Sequence, residues 1–319
     1  MIAKRALRKI CPGTLRKWYA DTKYWLRFHI DPRGLISEQF HKKMDYEMDW
    51  KHPKDINEKI NWMKVNYDTS VWTRLADKYL VREYVKERVG EDILPKLYGV
   101  WKKAEDIDFD KLPSKFVLKT NHACGTILPV LDKSKINVEE VRNTLNEWLK
   151  IRHGYKTIQP HYLKIRPLII AEEYLENDAE FSSSLVDYKV FCFSGTPFCI
   201  VVFTDRTKGN QVNCSYYDTE WNPLPDAMPK EKRQEQRTIP YPKELPVLLS
   251  CAQKLAKGHP QVRVDLYIVK GKVYFGEMTF TSRAGYMDNL SRDFCLKMGQ
   301  LVKLPIDNDN KNVNYDSNV

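Results

Sequence analysis

The chain has 319 residues, of which 42% are hydrophobic and 29% are charged, and its formal net charge is +10. This length and composition suit one large or two ordinary folded domains and argue against disorder except at the chain ends. The longest uncharged stretch, residues 190–204, is too short to span a bilayer, and seven scattered cysteines match neither a disulfide framework nor a zinc site. We therefore expect a cytoplasmic protein with reduced thiols.

The positive charge is concentrated at the N-terminus. Residues 1–34 contain nine Lys or Arg against two Asp, a net charge of +7, and five aromatic residues are interleaved with them. A basic, aromatic segment suits an anionic partner such as a membrane surface or nucleic acid. Two alternatives stay open: a helix packed on the body by its aromatics, and reversible attachment to the inner face of a membrane. Binding of nucleic acid is the least favoured.

Hydrophobic periodicity predicts the secondary structure in chain order. The predicted helices are residues 56–63, 74–89, 137–151 and 243–257. The predicted strands are residues 97–101, 115–119 and 168–171, followed by hairpins at 185–204 and 262–281. Gly90 is expected to end the second helix. Since strands and helices alternate without a βαβ rhythm and no GxGxxG motif is present, an α+β class is favoured over a Rossmann sheet.

The last predicted hairpin, residues 262–281, carries the strongest candidate site. Alternate residues of a strand face opposite sides, so Arg263 and Asp265 share one side. A three-residue loop would place Asp265 directly opposite Glu277, with Thr279 further along the same face. Two facing carboxylates repel unless a cation lies between them, and Mg²⁺ takes one or two carboxylates with water and nucleotide phosphates. The alternative is that one carboxylate pairs with a neighbouring arginine and no metal binds.

Two lysines on predicted strands are candidate phosphate ligands. Lys119 ends an apolar strand and precedes a loop of small polar residues that includes His122 and Gly125. Such a loop can cradle phosphate, although it is not a Walker A loop. Lys189 lies on a later strand. Lysines of this kind are also common at plain, solvated strand ends, so neither is specific by itself.

The strand at 168–171 runs into Glu172, Glu173, Tyr174 and Leu175, a short hinge whose backbone groups can read adenine. The order of these features resembles the ATP-grasp superfamily: a strand that ends in lysine, a loop with a glycine, a Glu-Glu hinge, a second lysine, and an Asp and a Glu on the last hairpin. More closely, the chain resembles the TupA-like ATP-grasp proteins of bacterial envelope-polysaccharide gene clusters over roughly residues 50–290. The motifs that carry this resemblance are Asn57–Trp62, Asp77–Tyr79, Val81–Val85, Leu112–Pro113, Lys119–His122, Glu172–Leu175, Asp187–Lys189 and Arg263–Tyr267.

The resemblance implies an ATP-grasp fold, in which two α+β subdomains clasp ATP, with a helical N-terminal extension. It implies three segments: a basic, aromatic extension at 1–50, a catalytic domain at 51–305 and a frayed tail at 306–319. Within the catalytic domain, the first subdomain would cover about 75–165 and the second 166–305.

The resemblance also implies a role for each site residue. Lys119 and Lys189 would hold the α- and β-phosphates, and Arg263 with Lys189 would stabilise the transferring γ-phosphoryl group. The remaining assignments are nucleotide binding by His122, Gly125, Glu172, Glu173 and Leu175, and Mg²⁺ binding by Asp265, Glu277 and Thr279. Two positions depart from the superfamily pattern. Thr279 stands where Asn is usual, and the loop after Lys119 has a single glycine.

The implied activity is a carboxylate–amine ligation, in which ATP phosphorylates a carboxylate and an amine displaces the phosphate. The implied acceptor is a carboxylate-bearing sugar or peptide of a surface polysaccharide. A kinase that stops at phosphoryl transfer and a non-catalytic nucleotide-binding protein stay open. A glycosyltransferase is a further alternative, because its usual Asp-x-Asp motif occurs at Asp106–Asp108, Asp108–Asp110 and Asp307–Asp309.

Overall fold

The structure, a computed structural model, describes residues 22, 24–207, 211–233 and 237–305. Its helices are α1 (Pro32–Met44), α2 (Ile56–Asn66), α3 (Ser70–Ala76), α4 (Val81–Arg88), α5 (Val138–Leu149), α6 (Pro160–Leu163), α7 (Leu245–Ala256) and α8 (Arg292–Gln300). Its strands are β1 (Leu97–Trp101), β2 (Phe116–Thr120), β3 (Ile127–Val130), β4 (Ile169–Glu172), β5 (Asp187–Phe193), β6 (Thr196–Thr204), β7 (Asn213–Asp218), β8 (Gln261–Val269) and β9 (Lys272–Thr279).

The strands form two antiparallel sheets, each with its own apolar core. The first sheet has the order β1-β4-β2-β3 and packs against α5 through a small cluster that includes Phe116, Leu118 and Leu145. The second has the order β7-β6-β5-β8-β9, and its large core includes α7 and the N-terminal helices. The α+β class is therefore confirmed. The predicted boundary near residue 165 precedes β4, which pairs within the first sheet, and the division into subdomains stays a proposal.

The predicted helix at 74–89 is wrong as a single helix, because the chain forms α3 and α4 with a turn between them. The Asp77 side chain explains the break: its Oδ1 accepts hydrogen bonds from the backbone N–H groups of Tyr79 and Leu80, 2.8 and 3.2 Å away. A short acidic side chain that bonds its own backbone competes with helical hydrogen bonding. The other predicted strands and hairpins are confirmed to within two residues, whereas β3 and β7 were not predicted.

The hairpin of β8 and β9 pairs Asp265 with Glu277, as predicted, but by a different route. The three-residue loop is wrong: Lys270 and Gly271 form a two-residue turn with positive φ values of 51° and 72°. The missing residue is a bulge at Gly276, which restores the register between Asp265 and Glu277. A Cβ at Gly276 would lie 2.9 Å from the Asp265 carbonyl oxygen, so a side chain there would disturb the pair.

The described part of the basic N-terminal segment both packs on the body and leaves apolar side chains exposed. The Phe28 ring contacts Tyr155 edge-on, with 5.5 Å between the ring centroids. Trp25, Leu26 and Ile30 are 45%, 50% and 72% exposed. Residues 1–21 and 23 of the predicted extension and the whole predicted tail lie outside the described residues. Within the described residues, no helix has the length and apolar character needed to cross a bilayer.

Buried histidines should make folding pH-dependent. His161 is fully buried against Trp72, and burial lowers its pKa to about 3. Between pH 6.5 and 3 only the unfolded chain binds this proton, so acidification should lower the free energy of unfolding by up to about 1.4 kcal/mol per pH unit. Urea unfolding at pH 6 and pH 4 should show this slope, and His161→Phe should flatten it by about that amount. Equal slopes in both proteins would contradict the expectation.

Candidate active site

A cleft of about 620 Å³ lies where the loop between β2 and β3 approaches the β8–β9 hairpin. Lys78 and Cys124 line one side of it, and Arg263, Glu277 and Thr279 line the other. The structure therefore brings three of the residues that were singled out from the hairpin sequence to one solvent-accessible surface. Asp265 lies directly beneath them and is only 1% exposed.

The three predicted metal ligands converge on a single nitrogen atom. Nη2 of Arg263 lies 2.8 Å from Oδ2 of Asp265, 3.1 Å from Oγ1 of Thr279 and 3.5 Å from Oε1 of Glu277. The guanidinium thus stands where a cation between the carboxylates would lie, and the pairing of a carboxylate with a neighbouring arginine is what this structure contains. The Thr279 hydroxyl therefore reaches the same nitrogen atom as the two carboxylates.

The donor set fits Mg²⁺, whose preferred protein ligands are oxygens. Asp265, Glu277 and Thr279 offer three oxygens around one point, with Glu277 open to the cleft. Two carboxylates and one hydroxyl match an ion that binds one or two carboxylates and completes its shell with water and substrate phosphates.

Lys189 completes a buried charge network behind the hairpin. Its Nζ lies 2.5 Å from Oδ2 of Asp265 and 3.6 Å from Oδ1 of Asp187, whose other oxygen accepts from Arg206 at 2.6 Å. Burial alone would raise the pKa of Asp265, but Arg263 and Lys189 outweigh it and lower that pKa below its usual value. Asp265 is therefore an ionised, fully paired carboxylate in this structure.

Lys119 has a similar arrangement on the first sheet. Its ammonium pairs with Glu172, which also accepts from Nη1 of Arg82 at 3.0 Å. The Glu172 backbone pairs with β1 on one side and β2 on the other, whereas Glu173 and Leu175 follow in irregular structure. The predicted adenine hinge thus begins inside a central strand, and the Glu172 carboxylate is engaged with two cations.

The loop after Lys119 is held from below by Asn121. Its side-chain amide donates to Oδ2 of Asp77 at 2.9 Å and to the Arg166 carbonyl at 3.1 Å, and its Oδ1 accepts from Leu168. His122 is also buried, with Nε2 3.1 Å from the Ile151 carbonyl oxygen, and burial lowers the pKa of His122. These side chains support the loop from inside.

Gly125 has a φ of +76°, a conformation that favours glycine, and a Cβ there would meet no atom within 4 Å. Its surroundings are therefore open, in contrast to those of His122. A ligand that approaches the loop can reach its backbone at this point.

Lys78 is a candidate that the sequence reasoning missed. It lies in the turn between α3 and α4, lines the cleft and donates from Nζ to the Ala123 carbonyl at 2.9 Å. Burial lowers the pKa of Lys78, while the Glu277 carboxylate acts in the opposite direction. The one signal in the sequence was its place in the Asp77–Tyr79 motif, because a single lysine in a predicted helix has no distinguishing pattern.

The cleft is closed on a further side by a strained loop after β9. Arg283, Ala284 and Gly285 have positive φ values of 46°, 58° and 78°. Two buried side chains of α2 hold these residues: Lys64 donates to the Ala284 carbonyl at 2.5 Å, and Asn61 to the Gly285 carbonyl at 2.7 Å. The Asn57–Trp62 motif therefore has a structural purpose, since it fixes a loop that lines the cleft.

Removal of the Asn61 amide should loosen this loop. Asn61→Ala leaves the buried Gly285 carbonyl without that donor, which should cost about 1–3 kcal/mol of unfolding free energy. Asn66→Ala is a matched control on the same helix, because Asn66 bonds Trp62 and Arg33 near the surface. Urea unfolding of both variants is the measurement. An equal loss in the two would show that the loop contact contributes nothing.

Two antiparallel sheets with lysine–carboxylate pairs on each, and Asp and Glu on the final hairpin beside a shared cleft, are the arrangement of the ATP-grasp fold. A family model described as TupA-like ATPgrasp matches residues 58–303. The chain therefore belongs to the TupA-like ATP-grasp family, as its motifs predicted. No curated protein matches it by sequence.

Solved structures with a detectable likeness include ligases of three organisms. D-alanine–D-alanine ligase of Bacillus anthracis is 16% identical; in one structure the alignment covers 71% of this chain and 59% of the ligase, with a TM-score of 0.37. In the structure of the same enzyme with ATP, the alignment covers 77% of this chain and 69% of the ligase, with a TM-score of 0.40. The Helicobacter pylori enzyme is 14% identical, and the alignment covers 78% of this chain and 69% of the enzyme, with a TM-score of 0.41. Phosphoribosylamine–glycine ligase of Thermotoga maritima is 10% identical, and the alignment covers 67% of this chain and 49% of the ligase, with a TM-score of 0.40. Sequence identities and TM-scores this low do not indicate a substrate for this chain.

Proposed function

We propose that the protein is an ATP- and Mg²⁺-dependent carboxylate–amine ligase. The observation that carries the proposal is the convergence of Asp265, Glu277 and Thr279 on one cation position at the wall of the cleft. These three residues would hold Mg²⁺, which when bound neutralises charge on the nucleotide phosphates.

The protein's own cations would supply the remaining stabilisation of the phosphoryl group. Lys119 and Lys189 lie on strands of the two sheets, and Lys78 and Arg263 line the cleft between them. Phosphoryl transfer depends on positioning and charge neutralisation more than on a protein nucleophile. Adenine would lie against the backbone after β4, at Glu173 and Leu175, and the phosphates against the loop that contains Gly125.

The acceptor would be an anion held in the cleft. Lys43, Lys78 and Arg283 line it, whereas Asp288 and Glu277 are its acidic residues. A basic surface beside the metal ligands suits a carboxylate that must approach the γ-phosphate. We propose a carboxylate-bearing sugar or peptide of a bacterial surface polysaccharide as this acceptor, with an amine as the second substrate, at the cytoplasmic face of the membrane.

The competing activities make different demands on the chain. An ATP-grasp kinase would use the same nucleotide residues, so only its product distinguishes it. A glycosyltransferase would need one of the Asp-x-Asp motifs near a sugar nucleotide. Asp106, Asp108 and Asp110 lie in two short turns before β2, and Asp307–Asp309 lies outside the described residues.

The test is an acyl-phosphate trap. The protein is incubated with ATP, Mg²⁺ and hydroxylamine in the presence of uronic acids, amino acids or acidic peptides, and ADP and hydroxamate are measured. A ligase releases ADP and forms hydroxamate in equal amounts, only with a carboxylate present. A phosphorylated product that resists hydroxylamine indicates a kinase. Binding of sugar nucleotides without binding of ATP would refute the proposal.

The N-terminal segment would attach the enzyme reversibly to an anionic membrane. Trp25, Leu26 and Ile30 are exposed beside a net charge of +7 in residues 1–34. Each basic residue near such a surface contributes about 1 kcal/mol, screened by salt. Replacing the three apolar residues by Ser should weaken sedimentation with phosphatidylserine vesicles, and salt should weaken it further, while ATP turnover persists. Unchanged vesicle binding would favour a segment that only packs on the body.

A further inference from the structure

The position that a metal ion would take is held in this structure by Arg263. Its Nη2 contacts all three candidate ligands, and its Nε donates to Oδ1 of Asp265 at 2.6 Å. Ligand oxygens of Mg²⁺ lie about 2.0–2.1 Å from the ion. A nitrogen 2.8–3.5 Å from the same oxygens therefore lies in the space that the ion and its first shell need.

We propose that Arg263 is a displaceable internal cation, which holds the metal site closed until nucleotide-bound Mg²⁺ replaces it. The inference rests on the proposed metal site and adds a mechanism for its occupation. The guanidinium and a bound metal ion exclude each other, because both would occupy the space between the oxygens of Asp265, Glu277 and Thr279. Binding of metal then requires the guanidinium to turn away from Asp265, Glu277 and Thr279.

The network behind the hairpin allows this movement. Lys189 contacts Oδ2 of Asp265 at 2.5 Å, so Asp265 keeps a cationic partner when Arg263 leaves. A buried carboxylate without any partner would make the movement prohibitively costly. Arg263 also lines the cleft, and 14% of its side chain is exposed. The guanidinium therefore has an open side toward which it can turn, where a nucleotide phosphate would be its new partner.

Displacement implies that metal and nucleotide bind cooperatively. Without nucleotide, Mg²⁺ must compete with a guanidinium tethered at the site. Its apparent affinity is then the intrinsic affinity multiplied by the small fraction of molecules in which the site is open. With ATP present, a nucleotide phosphate would accept hydrogen bonds from the released Arg263 guanidinium, which lowers the cost of its movement. The same residue would then close the empty site and bind the γ-phosphate in the filled one.

Electron paramagnetic resonance of Mn²⁺ tests the proposal by binding alone. Arg263→Gln keeps a hydrogen-bonding side chain but removes the charge, and in the absence of nucleotide it should bind Mn²⁺ at least about tenfold more tightly than the wild-type protein. Arg206→Gln is the matched control. Arg206 pairs with Asp187, which belongs to the same charge network, but it contacts none of the three oxygens. Removing its charge should therefore change the Mn²⁺ affinity less than about twofold.

Equal Mn²⁺ affinity in Arg263→Gln and the wild-type protein, or an equal gain in Arg206→Gln, overturns the inference. If the wild-type protein binds Mn²⁺ with ATP while Arg263→Gln shows no gain, only the displacement is wrong. If no protein binds Mn²⁺ with ATP, the proposed metal site is also wrong.

A second measurement follows Arg263 in the wild-type protein and uses a variant only to assign the signal. In ¹⁵N-arginine-labelled wild-type protein, the Nε–H signal of Arg263, assigned by its loss in Arg263→Lys, should move away from its carboxylate-bonded shift when ATP and Mg²⁺ are added. A signal that does not move overturns the proposal.

Discussion

Asp265→Asn and Glu277→Gln should each abolish ATP turnover, but only Asp265→Asn should lower the free energy of unfolding substantially. Asp265 is 1% exposed and is the shared partner of Arg263 and Lys189. Its neutral replacement leaves two buried cations short of a counter-charge, and breaking a buried pair typically costs about 3–5 kcal/mol. Lys189 keeps a weaker contact with Asp187, which places the expected loss toward the lower end of that range.

Glu277 lies in a different environment. Its side chain is 41% exposed and its contact with Arg263 is 3.5 Å long, so Glu277→Gln should change the unfolding free energy by less than about 0.5 kcal/mol. Removing one of two facing carboxylates can even raise stability. ADP release and urea unfolding of both variants test the contrast. Full turnover in either variant would refute the metal assignment, and equal losses of stability would refute the assignment of Asp265 as the buried partner.

Lys119→Ala should weaken binding of ATP by about ten- to a hundredfold and leave binding of adenosine unchanged. A charge-assisted hydrogen bond to phosphate is worth about 1.5–3 kcal/mol, and adenosine lacks the group that Lys119 would contact. The fold should tolerate the change, because Glu172 keeps its hydrogen bond to Arg82 when Lys119 is absent. Lys115→Ala is the control at the start of the same region, where Lys115 pairs with Glu176 on the surface.

Isothermal titration calorimetry with ATP, ADP and adenosine separates the two explanations of the lysine. Equal losses for ATP and adenosine would mean that Lys119 acts only through the Glu172 pair and the shape of the adenine pocket. A loss confined to the phosphate-bearing ligands, absent in Lys115→Ala, places Lys119 at the phosphates.

Local patterns were enough to predict most of the secondary structure. Alternation along β8 placed Arg263 and Asp265 on one side, because it depends on residues a few positions apart. The position of Glu277 opposite Asp265 was predicted through a three-residue loop that the structure does not contain, and a bulge gives the same register. The errors were also local in origin. The Asp77 side chain ends α3 by accepting hydrogen bonds from the backbone two and three residues later. The last hairpin has a loop one residue shorter than predicted, and the extra residue forms the bulge at Gly276.

What the sequence by itself determined is therefore the α+β class, the family, and the residue types of the candidate site. Only the tertiary structure decided which charges meet. The partners of Lys119 and Lys189 are 53 and 76 residues away along the chain, on strands whose neighbours follow from sheet order. Lys78 reaches the cleft because a turn brings it against the loop after β2. Such contacts depend on how whole elements pack, and periodicity along one element carries no information about them.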